Sequence, residues 1–479
     1  MSLRQKALSG ILWTFLDTFF IKGMSFIAML FLARWLGPKE FGLIGMIAVF
    51  IGIGNSLVDS GLSSSLIRTP DANDSDFSTV FYMNMLMSIL VCGLLFISAP
   101  YISLFFEQEI LTNVIRVYCL SFVVSAFSAV QLAILNREMD FRRLTLLNVP
   151  STVIGVSIGL WMGYNHYGVW SIIAMYLTTQ IIFSILLWLT STWKPNLHFS
   201  KEKFLFHYAF GYKLMLSGLL DQLFKNSYNI LIGKFFPVQT LGYFERAKRF
   251  NDYPSQTITS IIGKVTYPML SKLQDNTAKI AVVYKKMLRV TFFVTAPLMI
   301  GAAAVASPLF DLVLGKEWAM AVPFFQILSI SSMLYPIHAF NINILKVYGR
   351  SDLFLKLEVI KKAITVVTIC TGFQFGIMGL VWSSVVSSFI SLLINTHYSS
   401  KLIDYKTRSQ LLDMLPIILI SGVMFLVIDK GSSFFYHYSN IIQIALSVVI
   451  GTVFYISVNL LFPKSPIYEL LLMIKNKKS

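Results

Sequence analysis

The sequence predicts an all-α polytopic membrane protein, with about 14 transmembrane helices in two pseudo-symmetric six-helix lobes plus two C-terminal helices. Three observations predict it. Of 479 residues, 56% are hydrophobic and only 13% are charged, where soluble domains carry roughly 25% charged residues. Apolar runs of about 20 residues, the length a helix needs to cross a bilayer, recur from one end to the other. Two segments, at 34–43 and 234–243, read as copies of one another.

Walking the chain places the runs at about 10–33, 41–66, 77–99, 112–135, 145–164, 168–190, 210–233, 241–263, 287–307, 320–345, 354–373, 376–397, 411–429 and 440–462. The first follows Arg4 and Lys6 and superficially resembles a signal peptide. It contains Asp17 and Lys22, continues to Ala33 and lacks a small-residue cleavage site, so it reads as a retained span. No connecting loop is long enough to fold alone. Cys92, Cys119 and Cys370 sit in apolar runs without CxxC spacing and read as small buried hydrophobes. The six His show no paired-ligand arrangement. Nothing in the sequence calls for a metal or a cofactor, and no catalytic constellation is present.

Lys and Arg gather in cytoplasmic loops of membrane proteins. With both termini inside, 24 of the 39 basic residues fall on the cytoplasmic side, against five outside: Arg34, Lys39, Lys234, Lys316 and Lys430. Most of the net charge of +16 is therefore topology and contact with anionic lipid, and it requires no nucleic acid. The ten basic residues left over lie in or beside spans, where a specific function can use them.

The repeat supports two lobes. "RWLGPKEFGL" (34–43) and "KFFPVQTLGY" (234–243) pair Arg34 with Lys234 and Gly42 with Gly242. "HYGVWS" (166–171) parallels "QFGIMG" (374–379) at an offset of 208. Six spans repeated in the same orientation describe a two-lobed transporter. The domains are then 1–195 (N-lobe, spans one to six), 196–400 (C-lobe, spans seven to twelve), and 401–479 (two further spans and a basic cytoplasmic tail).

Polar residues align on the first two helices of each lobe. At 100° per residue, span 8 carries Glu245, Arg249, Gln256 and Ser260 on one face. Span 7 carries Ser217, Asp221 and Lys225, span 2 carries Gly52, Ser56, Asp59 and Ser63, and span 1 groups Thr14, Asp17, Thr18, Lys22 and Ser25. The bland reading is a set of structural pairs: Asp17 with Lys22, Asp221 with Lys225, Glu245 with Arg249. A basic residue at mid-span costs about 2.5–3.5 kcal/mol, however, and "FERAKRF" (244–250) holds three. The set reads instead as the lining of a water-filled cleft between lobes. Excess positive charge implies an anionic cargo, and a guanidinium grips phosphate oxygens in a fork. The candidate substrate-binding residues are Lys22, Lys225, Arg246, Lys248, Arg249 and Gln256. Asp59, Asp221 and Glu245 are the candidate carboxylates for a coupling H+ or Na+.

"LGYFERAKRF", the "YP" at 253–254, "GKVTYPMLSKLQ" (263–274), "RWLGPKEFGL" and "GKEWAMAVPFFQILS" (315–329) together resemble the polysaccharide flippases of the multidrug/oligosaccharidyl-lipid/polysaccharide exporter superfamily, nearest the colanic-acid and teichuronic-acid exporter branch. The resemblance runs from about residue 5 to 460. It implies a cationic central cavity and an undecaprenyl-pyrophosphate-linked oligosaccharide as partner, moved outward across the inner membrane by alternating access. It also implies a multi-pass inner-membrane protein rather than an enzyme, and the reading is of a chain that works as a monomer. "KFFPVQ" departs from the WLGP of the first half, so the lobes are not interchangeable at that turn. Two alternatives fit less well. A drug/cation antiporter of the same superfamily wants an acidic or apolar cavity, and a membrane-embedded polysaccharide-assembly enzyme wants a sizeable outer loop.

Overall fold

The computed structural model describes residues 3–59 and 61–475, and the tail residues Lys477 and Lys478 lie outside them. The described chain is helical from α1 (Leu3–Asp59) to α19 (Pro466–Lys475). It packs as two compact units, one ending at Gly242 and the other beginning at Tyr243.

In the first unit, α1 is two arms joined at Gly37, whose φ of 74° is open to glycine and strained for other residues. Pro38 follows, its fixed φ suited to starting the second arm. After α2 (Leu62–Arg68) come α3 (Asp74–Phe106), α4 (Ile110–Tyr118), α5 (Leu120–Glu138), α6 (Phe141–Tyr164) and α7 (Val169–Thr190). Helix α6 lies against α7 through small residues. A Cβ on Gly155 would stand 2.8 Å from the Met175 carbonyl oxygen, and one on Gly159 would stand 3.2 Å from that of Ser171. Such close backbone approach is how helices associate in lipid, where hydrophobic driving force is absent. At one end of α3 and α5, Phe81, Phe127 and Trp188 form an aromatic cluster with ring centroids 4.6–6.0 Å apart.

The unit is completed by α8 (Lys201–Lys225), α9 (Ser227–Phe235) and the start of α10 (Val238–Ser271). Here the sequence repeat becomes a contact. A Cβ on Gly42 would sit 1.9 Å from the carbonyl oxygen of Val238, and one on Gly242 would sit 1.9 Å from that of Pro38. Each repeat thus presents its glycine to the equivalent carbonyl of the other, with local twofold symmetry.

The second unit is built around α11 (Thr277–Ala304). Tyr284, Leu288, Phe292, Ala296 and Met299 recur every three or four residues and are fully buried. Around it stand α12 (Ala306–Val313), α13 (Ala321–Ser332), α14 (Tyr335–Val347), α15 (Ser351–Phe373), α16 (Gly376–Ser399), α17 (Thr407–Phe435) and α18 (Asn440–Leu460). The Tyr455 hydroxyl donates to Phe293 O at 3.0 Å. At the other end of α11, Lys285 meets Asp413 at 2.9 Å and Arg289 meets Glu469 of α19 at 3.0 Å.

Among the described residues, nine helices are long and apolar enough to cross a membrane, and α1 supplies two of the expected spans in one element. The remaining expected spans fall on α8–α9, α10, α13–α14 and α15. Charge in α8, α10 and α15, and the break between α13 and α14, set these apart from the nine. One expectation is corrected. Cys119 is buried and Cys92 half-buried, their sulfurs 3.1 Å apart, but Cys370 is exposed, because it shares the outward face of α15 with Val366 and Val367.

Candidate substrate site

Helix α10 carries four charges within residues 245–249, and its aromatic neighbours fix how it is turned. Tyr243 stands edge-on to Trp318 with centroids 6.0 Å apart, and Phe250 packs on Phe310 at 5.3 Å. Between and beyond them, Asn251 is buried and doubly engaged: its amide donates to Phe325 O at 3.0 Å, and Ser329 Oγ donates to its Oδ1 at 2.8 Å. Satisfying a buried amide on both sides sets one rotation of the helix and excludes others.

That rotation divides the "FERAKRF" charges. Arg246 is buried beside Ala247, whereas Lys248 is half-buried with its ammonium 5.8 Å from the centre of the Phe244 ring. Arg249 projects, its side chain 74% exposed. Glu245 is only 15% exposed and lies 3.9 Å from the Arg249 Nε, one helical turn away. An ion pair that long and that exposed holds little stability, so the guanidinium keeps its capacity for another anion. Gln256, Tyr253 and Ser260 continue the exposed face of α10.

In the first unit the structure brings two predicted stripes together. Gly52 of α1 lies against Gln222 of α8, where an added Cβ would meet the amide oxygen, and Gly218 of α8 lies against Ser56. Asp59 ends α1, and Asp59, Asp221 and Lys225 are exposed on these helices. On the first arm of α1, Lys22 is exposed and Asp17 accepts from the Asn148 amide at 3.2 Å. The bland pairing of Asp17 with Lys22 therefore competes with a partner from α6.

Sequence reasoning passed over another polar group in this unit. His207 of α8 is bonded on both ring nitrogens, by Ser65 Oγ at 2.8 Å and Asp76 Oδ1 at 3.0 Å, and Lys203 reaches Asp76 Oδ2 at 3.2 Å. Asp76 also receives the Asn73 backbone N–H at 3.0 Å, completing the capping box of α3. The capping box was legible in "NDSD"; the link to His207 was not.

Residues 31–323 match the family model described as "Polysaccharide biosynthesis protein". The chain is 24% identical to the lipopolysaccharide biosynthesis protein WzxC of Escherichia coli, over 82% of this chain and 81% of that one. It is also 24% identical to the teichuronic acid biosynthesis protein TuaB of Bacillus subtilis, over 95% of both. Among solved structures, the lipid II flippase MurJ in an inward closed conformation superposes with a TM-score of 0.73 at 16% identity, covering 93% of this chain and 98% of that one. An inward-facing multidrug resistance MATE transporter of the MOP superfamily gives 0.58 at 17% identity, over 78% and 94%. The fold is that of MOP superfamily transporters, and with more than half its length matched, the chain belongs to the polysaccharide biosynthesis protein family.

Proposed function

We propose that this protein flips an undecaprenyl-pyrophosphate-linked oligosaccharide from the cytoplasmic to the outer leaflet of the inner membrane by alternating access, for export of a cell-surface polysaccharide. The observation that carries the reading is the exposed guanidinium of Arg249 on a helix whose rotation is fixed, in a chain whose relatives are named for polysaccharide biosynthesis and whose fold is shared with a lipid flippase. Arg249, with Lys248, Arg246 and Gln256 on α10 and Lys22 and Lys225 on α1 and α8, receives the pyrophosphate and the first sugars. Glu245 steers Arg249. Both termini are cytoplasmic, which turns the basic loops inward, and the protein works as a monomer.

Outward movement of an anionic head group is favoured by the membrane potential, at about 2.3 kcal/mol per charge per 100 mV. Asp59, Asp221 and Glu245 are the carboxylates available to a coupling H+ or Na+. The test is the Arg249 series, read as surface polysaccharide and as membrane protein level. Arg249→Lys keeps charge without the fork and retains part of export. Arg249→Ala loses a charge-assisted contact and lowers export by roughly 10- to 100-fold at unchanged protein level. Normal export by well-expressed Arg249→Ala would remove this residue from the cargo site. Loss of protein that Glu245→Ala restores would make the pair structural instead.

A further inference from the structure

Helix α8 is long but barely buried: of its 25 residues, among those described, only His207 and Gly211 are buried. Leu205, Phe206, Leu214, Leu216, Leu220 and Leu223 are exposed. The two buried points are adjacent turns of one end. Gly211 receives Gly61, whose φ is +66°, so closely that a Cβ there would stand 2.7 Å from the Gly211 carbonyl oxygen. One turn earlier His207, with none of its side chain exposed, bridges Ser65 of α2 and Asp76 of α3. Because most of its leucines already face outward and its seat on α1 beyond this end is made by Gly218 and Gln222, a small and a polar residue, α8 can part at this end with little loss of apolar burial. What such a parting must break is the polar cluster.

We propose that His207, with Ser65, Asp76 and Lys203, is a proton-sensitive latch that holds the N-terminal end of α8 against α2 and α3, and that the transport cycle must release it. In the latched state Nε2–H donates to Asp76, Nδ1 accepts the Ser65 hydroxyl, and the imidazole is neutral. The carboxylate is already balanced by Lys203. A second proton on His207 places an uncompensated charge in a site closed to water, where burial opposes it. Once α8 has parted, the imidazolium is hydrated and that cost disappears. Proton binding therefore favours the released state, and raising the pH through the imidazole range favours the latched one. The other charges nearby are already engaged or exposed. Arg68 of α2 stacks over Phe210 at 4.7 Å, Arg137 of α5 donates to Ala72 O at 3.1 Å, and Asp74 and Glu202 are exposed. His207 is a positioning residue: it acts on α8, not on cargo. The latch deepens the transport reading and rests on it only for the export arm of its test.

The test uses the full-length protein in proteoliposomes, freed of native cysteines (Cys92→Ala, Cys119→Ala, Cys370→Ala), with spin labels at Asp71→Cys and Leu205→Cys. As pH falls from about 8 to about 5.5, the population at the longer label distance rises several-fold, and His207→Gln abolishes the pH dependence. A distance distribution that ignores pH, or that responds equally in His207→Gln, overturns the proposal. If His207→Gln fails to reach the membrane, Ser65→Ala replaces it. Losing the hydroxyl that supports neutral Nδ1 moves the midpoint up by about half to one pH unit, and an unmoved midpoint counts against the latch. In cells, the Ser65→Cys,His207→Cys pair, once oxidised, stops export, and reductant restores it. Export through the cross-linked protein would show that this end of α8 never parts. Normal export by Arg249→Ala alongside an intact pH response would sink the cargo site and leave the latch standing.

Discussion

Helices α8 and α11 are similar in length, 25 and 28 residues, and both bear Lys or Arg near one end, yet they are held in opposite ways. Along α11 a fully buried residue returns at almost every turn from Ile280 to Met299. Helix α8 is fastened by a glycine crossing and a hydrogen-bonded histidine at one end, and farther along it rests on α1 only through half-buried small and polar residues such as Gly218 and Gln222. In lipid an outward leucine gains nothing by being buried, so packing detail rather than apolar area decides what is rigid. The comparison separates a scaffold helix from one built to move, and the predicted substrate stripe, with Asp221 and Lys225, is on the second.

The largest effect that would break the comparison comes from the scaffold. Phe292 of α11 is fully buried, and Phe292→Ala should destabilise the protein by about 3 kcal/mol, the low end of the usual range because lipid rather than water is the reference. Thermal aggregation in detergent and abundance in the membrane measure it. A variant with unchanged stability would show that α11 is not the anchor its burial describes. Next in size is the symmetric crossing of Gly42 and Gly242, which ties the start of α10 to the second arm of α1. Gly42→Ala and Gly242→Ala each push a methyl into a backbone carbonyl and should cost about 1–3 kcal/mol. Similar losses from the two would sharpen the view that the crossing is twofold in energy as well as shape.

The sequence made the spans and the repeat legible for physical reasons. Apolar runs must be about 20 residues to cross, and "LGP" marks the one turn in α1 that needs a positive φ. One helical break inside an apolar run was not legible, since Cys119 between α4 and α5 has no Gly or Pro near it, whereas the break at Met333–Leu334 is marked by Pro336 in the first turn of α14. For the candidate site, a period of 100° per residue fixed the angle between Glu245 and Arg249 but not which way the helix is turned. That was decided by Asn251, Tyr243 and Phe250 finding partners on α12, α13 and the turn at Lys316–Trp318, and it buried Arg246, which the charge count could not separate from its neighbours. His207 escaped notice because its partners Asp76 and Ser65 lie 131 and 142 residues away, and pairing at that distance leaves no local trace.

The smallest expected effect is the most diagnostic. Leu220 of α8 is 52% exposed, while Leu288 of α11 is fully buried. Cutting either back to alanine removes the same atoms. At Leu288 the neighbouring helices cannot close the void and the loss is about 2 kcal/mol, again the low end of the usual range. At Leu220 lipid tails flow into the space, so the change should stay within about 0.5 kcal/mol. The pair is measured as the shift in thermal aggregation midpoint of the two purified variants under identical conditions. A loss at Leu220→Ala as large as at Leu288→Ala would mean that α8 packs along its whole length. A helix so packed could not swing from the His207 end without exposing a groove, and the distinction between scaffold and moving helix would fall with it.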